Sequence, residues 1–160
     1  MTPPRLRRTG PIDLAVPFVV VGVAAYAILR VTWDSLPPLG WLVPVPIAAL
    51  GFVEFMLARR VRAAVRHEPN AKPMPAISIA RCVALAKASS PVGAAVAGAA
   101  LALLGRVLPE AGDVSAAAHD ARVTALLLAA SVVLVVAGLV LERAGIDPRS
   151  ENHDKGDDRE

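Results

Sequence analysis

The stretch "VTALLLAASVVLVVAGLVL", Val123–Leu141, runs nineteen residues without a charge. Crossing about 30 Å of hydrocarbon takes roughly 20 apolar residues in a helix. A helix buried in a water-soluble core is seldom both this long and this free of charge. Three further apolar runs have similar length, at 12–29, 39–58 and 88–105, with Asp13 and Glu54 their only charges. The third gains its opening turns from Cys82 onward and becomes a span at about 82–105. The sequence therefore predicts an all-α integral membrane bundle of four transmembrane helices. Its organisation reads as a basic N-terminus (1–11), a four-helix domain (12–147) and a polar, disordered tail (148–160).

Composition supports one such domain. The chain has 160 residues, of which 55% are hydrophobic, and its mean hydropathy is +0.53. Of its 17 basic residues 14 are arginine, a bias that fits a high-GC genome. A pI near 9.6 suits nucleic-acid binders, but here the charges crowd beside apolar runs, where they set topology instead. No nucleic-acid partner is expected. The lone cysteine, Cys82, excludes an intrachain disulfide and any cysteine-based zinc cluster. It reads as a small apolar residue near a helix start.

Arginine and lysine favour the cytoplasmic side. Arg5, Arg7 and Arg8 precede the first run, and Arg59, Arg60, Arg62, Arg66, Lys72 and Arg81 lie around the connection between the second and third. The other two connections hold Arg30, and Arg106 and Arg122 against Glu110, Asp113 and Asp120. Both termini and the 59–81 connection are thus expected in the cytoplasm, with the chain in the cell membrane. "AYA" (Ala25–Ala27) imitates a signal-peptidase site, but the apolar run continues through Ile28 and Leu29 to spanning length, which favours retention. Trp33 and Trp41 bracket the first outer loop, Pro37 and Pro38 stop any helix there, and Pro44 and Pro46 fall in the opening turns of the second span.

Span three opens oddly, with "LAKASSPVGAAVAG" (Leu85–Gly98). On a helical wheel Lys87, Pro91, Ala94, Gly98, Ala102 and Gly105 fall within about 80° of one another. Leu85, Val92, Val96 and Leu103 lie opposite. Small faces let helices approach closely in a bilayer, so Pro91, Ala94, Gly98, Ala102 and Gly105 are the expected packing face. Pro91 removes the hydrogen bond to the carbonyl of Lys87, predicting a kink and a need for a partner such as Ser89 or Ser90.

Lys87 near the start of span three and Glu54 near the end of span two each oppose their own helix dipole. Both lie roughly 8–9 Å inside the boundary charges Arg81 and Arg59, counting about 1.5 Å per residue. Two readings stand: an ion pair between adjacent antiparallel spans, or separate snorkelling to the interface. Glu142 offers a second acid and Arg81 a second base, which completes a candidate intramembrane polar cluster of Glu54, Arg81, Lys87 and Glu142. His67, His119 and His153 occupy separate polar regions; His119 and Asp120 read as a solvated helix start, with Asp120 a candidate cap of span four. There is no Walker-type loop, no H-E-x-x-H and no G-x-S-x-G, so no catalytic residue, metal site or cofactor is expected.

Three segments then carry a family resemblance: "ARCVALAKASSPVGAAVAGAALALL" (Ala80–Leu104), with its R-x5-K-A-S core; "LPPLGWLVPVPIAALGFVEFMLARRVR" upstream; and "LVLE" closing span four. Together they resemble the actinobacterial family called domain of unknown function 3180, over roughly residues 12–147. The resemblance implies a small multi-pass membrane protein without an assigned activity. It also implies that Glu54, Arg81, Lys87 and Glu142 match positions the family keeps polar; the tail and the 106–119 connection lie outside it. Two functions compete. One is a non-enzymatic scaffold or accessory subunit, bound to the bilayer and to a membrane-protein partner or a second copy. The other is a small transporter or channel with Glu54 and Lys87 at its cytoplasmic mouth.

Overall fold

A computed structural model describes residues 9–32, 39–66 and 73–145. It is all-helical: α1 (Pro11–Thr32), α2 (Val45–Val65), α3 (Ala76–Val107) and α4 (Ser115–Ala144), with a 3-10 turn at Leu108–Glu110. Three of these, α1, α3 with its 3-10 extension and α4, are long and apolar enough to cross a membrane. Arg5, Arg7, Arg8, Trp33, Pro37, Pro38, His67, Lys72, His153 and the tail lie outside the described residues.

Local chemistry sets the helix ends. Pro11 begins α1, where its missing N–H costs nothing. Asp13 reaches back to accept the Gly10 N–H at 2.7 Å, one half of a capping box. The apolar run at 39–58 is only partly helical. Residues 41–44 form a turn, Pro44 stands at the N-cap, and α2 starts at Val45. Its charge-free, helical, apolar part, if Glu54 is set aside, is therefore Val45–Ala58, about 21 Å long at 1.5 Å per residue. The connection between α3 and α4 is shorter than the sequence suggested. Most of 106–119 is helical, held by an Arg106–Glu110 pair one turn apart and by the helix-favouring alanines 116–118.

The helices do not pack in chain order. α3 is central: α1 lies on one side of it and α4 on another, while α2 packs chiefly on α4. Glycines mark the contacts. A side chain at Gly98 would run into the Phe18 carbonyl of α1, and one at Gly22 would come within 3.2 Å of the Gly98 carbonyl. Gly93 of α3 meets Ser131, Leu134 and Val135 of α4, and Gly51 of α2 meets the Leu134 backbone. Gly138 of α4 faces Ala86 and Ser90 of α3, and Gly145 faces Val83, which makes α3 and α4 antiparallel. The pairs Gly51–Leu134 and Glu54–Gly138 run in the same sense, so α2 and α4 are parallel.

Two apolar clusters close the ends. Ala58, Val61, Ala86 and Leu141 form one, with Cys82 packed against it as a small hydrophobe. Val107, Ala117 and Ala121 form the other. Hydrocarbon is as apolar as leucine, so contacts between small residues and dispersion hold such a bundle more than exclusion from water does.

Candidate functional site

The polar residues of the bundle are few, and their burial sorts them. Glu54 is completely inaccessible, Glu142 is 5% exposed, Lys87 is half-buried and Arg81 is exposed. Position in the packing explains the order. Glu54 is on the α2 stripe that carries Gly51 and Ala58, which turns it into the junction with α4 and α3. One of its oxygens lies 3.3 Å from where a side chain on Gly138 would begin, beside the Ala86 carbonyl and the Ser90 hydroxyl. The missing side chain at Gly138 leaves room first for the Ser90 hydroxyl and, beside it, for the carboxyl.

Neither Glu54 oxygen has a hydrogen-bond partner. The nearby serines are committed elsewhere. Ser89 donates to the Leu85 carbonyl at 3.0 Å and approaches that of Ala86 at 3.3 Å; Ser90 donates to the Ala86 carbonyl at 2.8 Å. Such bonds back to the preceding turn are the usual outlet for serine in an apolar helix. They also answer the expectation that these hydroxyls serve the carbonyl opened by Pro91. They serve Leu85 and Ala86 instead, and α3 continues through Pro91 to Val107.

The Glu54 carboxyl accepts no hydrogen bond, from Lys87 or from any other residue. Lys87 shares a stripe of α3 with Gly98, eleven residues on and about 20° around the helix, and that stripe faces α1. Ser90 and Ala86, which border Glu54, face α4. The two charges thus occupy similar depths on different sides of α3. Arg81 is exposed and makes no ion pair among the described residues. Glu142 accepts the Thr9 N–H at 2.9 Å, which ties the segment before α1 to the C-terminal end of α4.

Of the expected packing face, Ala94 and Gly98 are buried and Pro91 and Ala102 half-buried; Gly105 is exposed, with nothing within 4 Å of a side chain there. A second small stripe, Ala86, Ser90, Gly93, Ala97 and Ala100, is buried as well. Reading the wheel as one small face and one bulky face missed it, although the same small residues were its signal.

At the other end, α4 begins at Ser115, so Asp120 lies in its second turn and does not cap it. Asp120 is 9% exposed and accepts the Leu39 N–H at 3.0 Å, while His119 Nε2 bonds the Leu39 carbonyl at 3.0 Å. The Trp41 ring stands edge-on to His119 with centroids 5.0 Å apart. Neighbouring residues of α4 thus grip both backbone groups of Leu39 and fix the entry to α2. Among the described residues, no group of three His, Cys, Asp or Glu gathers as a metal-binding set.

The chain belongs to the family described as "Protein of unknown function (DUF3180)", whose sequence model matches residues 14–148. No curated protein matches it, and no solved structure does.

Proposed function

We propose that the chain is a four-span protein of the cell membrane with both termini cytoplasmic, acting without catalysis as a scaffold or accessory subunit through helix–helix contacts. For α2 as a span, the support is its parallel course along α4 and its flanks. Trp41 suits one interface, and Arg59 and Arg60 extend the other by snorkelling. The threading rests on the basic residues of the 59–81 connection.

The observation that carries the scaffold reading is the openness of the outer helices. Leu29 is the only described residue of α1 that is buried, and α2 exposes Phe52, Val53, Phe55 and Met56. Between α1 and α3 the glycine contact widens into an apolar groove of about 400 Å³, lined by Phe18, Gly22, Tyr26, Gly98, Ala102 and Gly105. Small residues at such a surface admit the close approach of another helix. The second reading, a transporter with Glu54 in its path, draws on that buried and unpartnered carboxyl.

Two assays separate them. Affinity purification from native membranes should return a stoichiometric membrane partner or a second copy, captured by a photo-crosslinker at Val19 or Phe52. Proteoliposomes should show no flux driven by a pH gradient. Flux abolished by Glu54→Gln would replace the scaffold with the transporter.

A further inference from the structure

The α2–α4 contact leaves a second apolar groove of about 480 Å³ on the surface, lined chiefly by Ala48, Phe52 and Phe55 of α2 and Val132, Val133 and Val136 of α4. Along α2 these positions belong to a stripe with steps of three and four residues: 48, 52, 55, 59, 62, 66. The groove-lining residues thus give way, on the same face, to Arg59, Arg62 and Arg66. Along α4 the stripe through Val136 reaches Arg143 seven residues later. Ala58 and Leu141 share one cluster, so Arg59 and Arg62 lie at nearly the same level as Arg143.

All four arginines are exposed, and among the described residues none forms an ion pair. Among the described residues, the acids flanking this stretch of α2 and α4 turn away from the groove: Glu54 is buried against Gly138, and Glu142 is buried and accepts the Thr9 N–H. An apolar channel ending in guanidinium groups that no described carboxylate opposes matches one kind of molecule. Its tail is a hydrocarbon chain, and its head is a phosphate, which arginine engages through paired N–H donors.

We propose that this groove and its arginines bind one anionic phospholipid of the cytoplasmic leaflet, an acyl chain along Phe52, Phe55 and Val136 and the phosphate on Arg59, Arg62 and Arg143. The assignment rests on α2 spanning the membrane with its arginines on the cytoplasmic side. It goes beyond the scaffold role by naming a ligand and a place for it.

The test uses the full chain, purified in detergent, stripped of lipid and titrated with phosphatidylglycerol or phosphatidylcholine, with bound lipid counted by native mass spectrometry. One phosphatidylglycerol per chain should bind in preference to phosphatidylcholine. Arg59→Gln, Arg62→Gln and Arg143→Gln together should weaken it about a hundredfold, whereas Arg122→Gln at the other end should change nothing. Val136→Phe, which fills the groove without touching a charge, should weaken phosphatidylglycerol binding as well. Equal retention by the triple variant would overturn the proposal. So would indifference to Val136→Phe, or full competition by inorganic phosphate, because either leaves only an anion-attracting surface. A cysteine at Phe55, labelled in membranes by a water-soluble thiol reagent, checks the premise separately: ready labelling would remove α2 from the bilayer, and protection without lipid binding would defeat the lipid site alone.

Discussion

Alanine at Gly98 and alanine at Gly105 are the same chemical change on the same helix, and the packing predicts opposite outcomes. Both replace glycine in a helix interior, a gain of up to about 1 kcal/mol in helix propensity. That gain cancels when the two variants are compared. At Gly105 the new methyl meets nothing within 4 Å. At Gly98 it runs into the Phe18 carbonyl, with the Gly22 nitrogen 3.2 Å away. Both are backbone atoms, which no rotamer change can move aside, so α1 must retreat bodily from α3. A gap of 0.5–1 Å forfeits about a quarter to a half of the dispersion energy at each contact, and overpacking typically costs about 1–3 kcal/mol. α1 has little else to hold it, Leu29 being its one buried residue among those described. In thermal unfolding of the detergent-purified chain, Gly98→Ala should therefore melt about 2–12 °C below Gly105→Ala. Gly98→Leu should be worse, and Val96→Leu, half-buried on another face, much milder. Equal melting of the two alanine variants would mean that α1 does not seat on Gly98, and the α1–α3 contact would have to be abandoned.

Other perturbations address other parts of the bundle. Glu54→Leu removes a carboxyl that is buried without partners, and an unsatisfied buried polar group costs about 1–3 kcal/mol, so the variant should melt at or above the wild-type temperature. In a double-mutant cycle with Lys87→Met, the coupling should stay within about 0.5 kcal/mol of zero; a large favourable coupling would restore the ion pair. Gly138→Ala should destabilise because its methyl strikes the Ser90 hydroxyl, and Ser90→Ala should recover part of that loss in the double variant by removing the struck atom. A double variant no better than Gly138→Ala alone would shift the blame to the 3.3 Å neighbours, Ala86 and Glu54. With Cys82 replaced by serine, a cysteine at Arg66 should resist an impermeant thiol reagent in intact cells and one at Gly112 should react; the reverse would invert the threading.

How much of this fold the sequence discloses depends on the element. α1, α3 and α4 are legible because unbroken apolar runs of spanning length have few alternatives in water or lipid. α2 is less so. Hydropathy cannot tell the turn at 41–44 from the helix that follows, since Trp41, Leu42 and Val43 are as apolar as a span requires. The 115–121 extension of α4 was hidden for the opposite reason: alanine, histidine and aspartate do not read as membrane, yet they favour or tolerate helix. Asp120 looked like a cap because it stands beside the apolar run, and only the fold brings Leu39 within its reach.

The polar cluster divides along a similar line. Level along the bundle is read by counting residues from Arg59 and Arg81, and Glu54 does stand beside Ala86 and Ser90, the neighbours of Lys87 in sequence. Direction around the helix does not follow. An amphipathic helix in water announces its buried face by contrast with its polar one. In α3 the contrast is only between small and large, and small residues cover two separate arcs, one toward α1 and one toward α4. A pairing of Lys87 with Glu54 assumes that consecutive spans are neighbours, whereas α2 leans chiefly on α4, two steps further along the chain. What does carry directional information is glycine: Gly98 and Gly138 stand where a side chain would collide with another helix, and Gly51 and Gly93 where one would fit only tightly against it. Read as points of approach and not as weak positions in a helix, they pair α3 with α1 and α4, and they leave Glu54 in the gap that Gly138 opens.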